Sequence, residues 1–211
     1  MNDLIAPFGE VDWDDVESVE EPAYRFLESL SADPPRLNAL LEQVRGTPEL
    51  LALSEHHPDI FDKVVLHDDA SGIRVRLHVF LPGYSDAPHD HRWTFASRIL
   101  RGGYRHRMYG AVDLRSVPPA DLAPVHVRTE QPGDHYVLHH TMVHALDAQP
   151  DTVSLVLRGP AVKSRFVVHE STGVTERVGA ADEPAAAAAA KRMTPERLDH
   201  VIARLREWGV A

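Results

Sequence analysis

Residues 82–103 read PGYSDAPHDHRWTFASRILRGG. Two histidines one residue apart, His89 and His91, stand between a Pro-Gly turn and a Gly-Gly turn. In extended backbone, residues i and i+2 point to the same face, so both imidazoles can reach one metal ion. An isolated pair of this kind reads equally well as two solvated loop histidines. A second stretch, residues 132–146 with the sequence PGDHYVLHHTMVHAL, shifts the balance, because it adds His135, His139, His140 and His144 beside another Pro-Gly turn.

The spacing of these residues resembles the cupin superfamily. The first cupin motif has a glycine, five residues, His-x-His, usually a glutamate and then a further glycine; Gly83, His89, His91 and Gly102 fall on it. The second has a Gly-Asp turn followed by a histidine on the next strand, matched by Gly133, Asp134 and His144. The glutamate position is taken by Phe95. The resemblance therefore implies a site of three histidines, His89, His91 and His144, without a carboxylate. It also implies a mainly β fold, a cupin double-stranded β-helix or jelly-roll barrel, here with N-terminal helices and a C-terminal amphipathic helix.

Composition sets the outer bounds. A chain of 211 residues with 43% hydrophobic residues can bury one sizeable core, so one main domain is expected. The absence of cysteine removes disulfides, thiolate ligands and a cysteine nucleophile together. No apolar run reaches the roughly 18 residues of a membrane span, and the N-terminus lacks a basic start, so a cytoplasmic protein without a membrane partner is expected. A net charge of -10 without a Lys/Arg cluster argues against nucleic acid and for a small-molecule partner.

Three segments follow along the chain. Residues 1–60 hold an acidic, loosely held leader and a helical layer. Within it Ala23, Phe26, Leu27 and Leu30 recur at helical spacing from Glu21, a second helix runs from Pro35 to Gly46, and Thr47 opens a short third one. Residues 61–178 carry short alternating strands separated by Gly, Pro and Asp turns, which point to antiparallel β structure. In one of them Ile73, Val75, Leu77, Val79 and Leu81 share a face expected under the helices, with Arg74, Arg76, His78 and Phe80 opposite. Parity from His89 and His91 puts Trp93, Phe95, Ser97 and Ile99 on the metal side, while His106 reads as a core or surface histidine. Residues 179–211 form an alanine-rich linker and a helix from Thr194 that packs on its own domain or on a partner subunit, which makes a homodimer possible.

Imidazole ligands suit Fe(II), and equally Zn, Ni, Mn or Cu. Three neutral ligands leave positions for substrate and dioxygen, an arrangement related to the two-histidine, one-carboxylate triad of non-haem iron oxygenases. Residues 60–160 are also similar to the thiol dioxygenases, the cysteine dioxygenase group within the cupins. That resemblance implies an iron oxygenase acting on a small amino-acid or carboxylate metabolite. The departures are Lys63 where the family has a carboxylate-binding arginine, Arg158 where it has a tyrosine, and Phe95; they argue against cysteine itself. Candidate substrate-binding residues are Arg158, Phe95, Trp93, Arg76 and His78, with Arg158 foremost because a guanidinium pairs with a carboxylate at two points. His140 is the candidate acid/base group. The alternative reading is a cupin without redox chemistry, an isomerase, a lyase or a small-molecule sensor.

Overall fold

The computed structural model describes residues 5–58, 60–179 and 182–211 of the chain. Three helices come first: α1 (Val16–Ser31), α2 (Pro34–Arg45) and α3 (Pro48–Leu53). Eleven strands follow: β1 (Glu55–His57), β2 (Phe61–Asp68), β3 (Arg74–Phe80), β4 (Phe95–Arg101), β5 (Tyr104–Gly110), β6 (His126–Glu130), β7 (His135–Leu138), β8 (Val143–Ala148), β9 (Val153–Arg158), β10 (Arg165–Glu170) and β11 (Gly173–Val178). Two helices, α4 (Ala185–Ala190) and α5 (Pro195–Glu207), end the chain.

All pairings are antiparallel, in the orders β1-β2-β3-β9-β4-β7, β6-β5-β8 and β10-β11. The segment around His89 joins the last two groups, since His89 bridges both His144 of β8 and Val168 of β10. Two sheets thus face each other as a jelly-roll barrel, the architecture expected from the motifs.

The six-stranded sheet separates two environments because its side chains alternate. Val75, Leu77 and Val79 of β3, Leu155 and Leu157 of β9 and Ala96 of β4 join the core formed with Leu27, Leu30, Leu41 and the apolar stripe of α5, Leu198, Val201, Ile202 and Leu205. This is the helix-covered face that the alternation predicts. The opposite face carries Arg76, His78, Phe95, Ser97 and Ile99 and looks into the barrel. At the corner between β4 and β5, Gly102 has φ +71° and its position would bring a Cβ within 2.9 Å of the Thr152 backbone. Glycine meets both demands there.

The N-terminal leader departs from expectation. Ile5, Phe8 and Trp13 are buried, Phe8 packs edge-on against Phe26, and Trp13 donates to the Phe8 carbonyl. Trp13 lies against Gly159, where a Cβ would come within 2.2 Å of the indole ring. Acidic composition hid these anchors, which lack the regular spacing that marks a helix or a strand. The first helix also begins earlier than Glu21, because Asp15 accepts from the Glu17 amide and caps it. The alanine segment, which has no apolar face of its own, is held at its C-terminal end: Lys191 accepts from the His56 amide and Met193 donates to the Ser54 carbonyl.

A candidate metal centre

His89 and His91 lie in the connection between β3 and β4 and not within a regular strand, yet the backbone there is pinned as if it were one. The His89 amide donates to the His144 carbonyl and the His144 amide returns a bond to His89, both 2.9 Å. Asp90, between the two histidines, points the other way. It accepts from the Val167 amide and from Lys163 Nζ, each at 2.7 Å. The same alternation that the spacing implied therefore survives outside a regular strand, with two imidazoles on one side and a latching carboxylate on the other.

His89, His91 and His144 each offer one ring nitrogen, and these lie within 4.8 Å of one another. The ring centroids are 4.7 to 4.9 Å apart. His89 Nδ1–H donates to the Ala87 carbonyl at 2.9 Å, which leaves Nε2 as the lone-pair atom. Burial, and then the neighbouring His89, push His91 and His144 well below the ordinary imidazole range, so both are neutral. Neutral imidazole is the ligating form.

His144 is itself held by a relay. Its Nδ1 lies 2.8 Å from His106 Nε2, and His106 Nδ1 lies 3.1 Å from Glu130 Oε1, with His106 and Glu130 both fully buried. Arg128 Nε reaches the same Glu130 oxygen at 2.9 Å. One assignment of protons satisfies the row: Glu130 is a carboxylate, His106 Nδ1–H donates to it, and His106 Nε2 accepts from His144 Nδ1–H. His144 Nε2 is then a bare lone pair, and it faces His91 Nε2 at 2.7 Å. That separation fits either an Nε2–H of His91 donating to the His144 lone pair or two lone pairs directed at one cation. The donor set suits a borderline divalent ion, and the carboxylate–histidine–histidine row is an outer support of the kind that orients metal ligands.

Aromatic rings wall the centre, as the parity of Trp93 and Phe95 predicts. Phe95 lies 4.8 Å from His91 edge to face, and Trp93 6.3 Å from it. No carboxylate takes part in the three-histidine group. Arg158 is buried and stacks over Trp93 at 4.5 Å, while its Nη1 donates to the carbonyls of Gly72 and Gly159. Arg76 lies over the same indole at 5.1 Å. Lys63 pairs with Glu55 at 2.5 Å.

His140 falls in a different cluster. Its Nε2 lies 3.3 Å from Asp14 and its ring stacks on His139, so the structure groups these three together, apart from His89, His91 and His144. His135 packs on Tyr24. The sequence reading gave His106 as a core or surface histidine, and the structure buries it fully beside His144; Glu130 and Asp90 it passed over. His106 and Glu130 touch only through the pairing of β5 with β6, and His106 meets His144 only through β5 and β8. A cross-strand register of that kind leaves no local signal. Asp90 was the exception, since the middle residue of His-x-His must face away from the metal and needs a partner there.

No protein-family model matches the chain, and no curated protein matches it. Among solved structures, KdgF from Halomonas sp. is 19% identical with a TM-score of 0.39, over 49% of this chain and 82% of that one. An RmlC-like cupin from Shewanella frigidimarina is 14% identical with a TM-score of 0.40, over 51% and 83%. The DMSP lyase DddQ from Ruegeria pomeroyi is 19% identical with a TM-score of 0.39, and the match spans 52% of each chain. The chain's own strand pairings make an antiparallel jelly-roll barrel; overlap at this level adds no argument for fold or chemistry. Among the described residues no helix is long and apolar enough to cross a membrane.

Proposed function

We propose that the protein is a metal-dependent cupin enzyme, a mononuclear non-haem Fe(II) oxygenase of the dioxygenase kind that acts on a small polar amino-acid or carboxylate metabolite. The observation that carries this reading is the convergence of three neutral imidazoles, His89, His91 and His144, with no protein carboxylate among them. His89, His91 and His144 would hold an ion and leave positions on it for substrate and dioxygen. When bound, the ion supplies Lewis acidity and, if it is iron, one-electron chemistry with oxygen.

The chain's own residues supply the rest. The Glu130–His106 pair keeps His144 in the ligating tautomer. Phe95 and Trp93 restrict water, which lowers the local dielectric and strengthens polar contacts to a bound metabolite. With neutral ligands the ion keeps its full charge and favours an anionic group. We place the reaction in the cell interior, with dioxygen and a small molecule as the partners.

Metal analysis of the purified protein together with oxygen uptake on a panel of amino and hydroxy acids tests the proposal. Iron content with substrate-dependent oxygen consumption supports it. Tight zinc or nickel binding with no oxygen consumption, and isomerisation or elimination of a substrate instead, would replace it with the non-redox alternative.

A further inference from the structure

The inner face of the six-stranded sheet holds a cation without an ion-pair partner, which Glu55 and Asp68 attract only from a distance. Arg76 is 8% exposed, its Nε is buried with no hydrogen-bond partner, and among the described residues no carboxylate lies within ion-pair distance of it. The other cations on and around this face have partners, although Arg158 Nε, like that of Arg76, is buried without one. Lys63 has Glu55, Arg74 has Asp68 at 2.6 Å, and Arg158 has two carbonyls. Beside Arg76 on the same strand, His78 also has a buried Nε2 with no partner.

These groups face the metal centre. Arg76 is the cross-strand partner of Val156, and Val156 that of Ser97, so the three share one face of the sheet. Val156 packs with Phe95 and Trp93, whose rings lie against His91. A buried guanidinium without a partner costs free energy that a fold does not retain for packing alone, and stacking on Trp93 returns only part of it. An oxyanion accepting two N–H bonds would satisfy it.

We propose that Arg76 and His78 form an anion-binding subsite inside the barrel, which holds the carboxylate or other oxyanion of a small ligand. It rests on the metal-centre reading only for the other end of that ligand, which would reach the three histidines. The roles divide accordingly: Arg158 shapes the wall by fixing Trp93, and Arg76 recognises charge.

Isothermal titration of the full chain, metal-free and zinc-loaded, with malonate, succinate and inorganic phosphate tests the subsite. Binding of at least one probe to the wild type should weaken ten-fold or more in Arg76→Gln and stay unchanged in Arg115→Gln, whose guanidinium is exposed. Thermal unfolding gives a second readout. In anion-free buffer Arg76→Met should unfold at a higher temperature than the wild type, since an unpaired buried charge is gone, and the bound probe should raise only the wild-type midpoint. No binding of any probe by the wild type, or equal affinity in Arg76→Gln, overturns the proposal. Arg76-dependent binding in a protein that takes up no metal would sink the metal-centre reading and leave the subsite standing. Zinc uptake with probe binding indifferent to Arg76 would do the reverse.

Discussion

His106 Nε2 lies 2.8 Å from His144 Nδ1, so a histidine outside the motifs holds the one candidate ligand contributed by the second motif. Its hold depends on the fully buried Glu130. Glu130→Gln removes the charge while keeping the shape, and His106→Phe removes the acceptor. Each should lower zinc affinity by about 10- to 100-fold, the usual effect of losing such a support. Competition with a chromophoric chelator measures it, and circular dichroism checks that the fold is kept. Wild-type affinity in both variants would show that the row is only structural.

The ligands themselves give a sharper contrast. His89→Ala, His91→Ala and His144→Ala should each lose most bound metal, while His139→Ala, which alters the cluster with Asp14, should bind as the wild type does. Elemental analysis of the purified variants decides between them.

Phe95 occupies the position where a carboxylate would complete the ligand set, with its ring 4.8 Å from that of His91. Phe95→Glu should tighten metal binding, lower activity, and make the metal-free protein less stable than the wild type, because a carboxylate replaces an apolar side chain that is 5% exposed. Denaturation with and without zinc shows whether the stability order reverses. An order that stays the same would mean that the carboxylate does not reach the ion.

Trp13 tests the docking of the leader. It is 8% exposed and packed on Gly159, so Trp13→Ala should cost about 3–5 kcal/mol, the range for emptying a buried aromatic site. Urea denaturation gives the value. A change below about 1 kcal/mol would mean that the leader is dispensable for folding.

Glu55 sets an acid limit. Burial alone would raise its carboxyl, but the hydrogen bond from His57 and the charges of Lys63 and Lys191 outweigh burial and hold it well below the usual carboxylate range. A depressed folded-state value means that its stabilisation is present above the unfolded value of about 4.3 and is lost as pH falls through the folded one. The wild type should therefore lose stability below that pH more steeply than Glu55→Gln. Unfolding midpoints from pH 6 to pH 3 check the slope, and parallel curves would remove Glu55 from the account.

What the sequence made legible was local. The pairing of His89 with His91 and the alternation of Val75, Leu77 and Val79 follow from a period of two, and that period is set by backbone geometry. The second motif likewise pointed to His144. The strands β1 and β11 went unread, since Glu55–His57 is too short to show alternation and Gly173–Val178 has no buried face to mark it. The relay through His106 and the isolation of Arg76 depend on which strands lie side by side and in what register. Two residues that look alike in sequence, Arg76 and Arg158, share a buried Nε without a partner, yet carbonyls of Gly72 and Gly159 reach Nη1 of the second.

The reciprocal backbone bonds between His89 and His144 have a consequence for assembly. The residues that would share an ion are also the ones whose main chains join the β3–β4 connection to β8, far apart in sequence, so closing the barrel and gathering the candidate ligands are a single event. An ion there would act as a rivet across the seam. It favours the closed state by mass action, and the metal-free chain should breathe first at this joint, with the amides of His89 and His144 exchanging faster than those of β3 and β9.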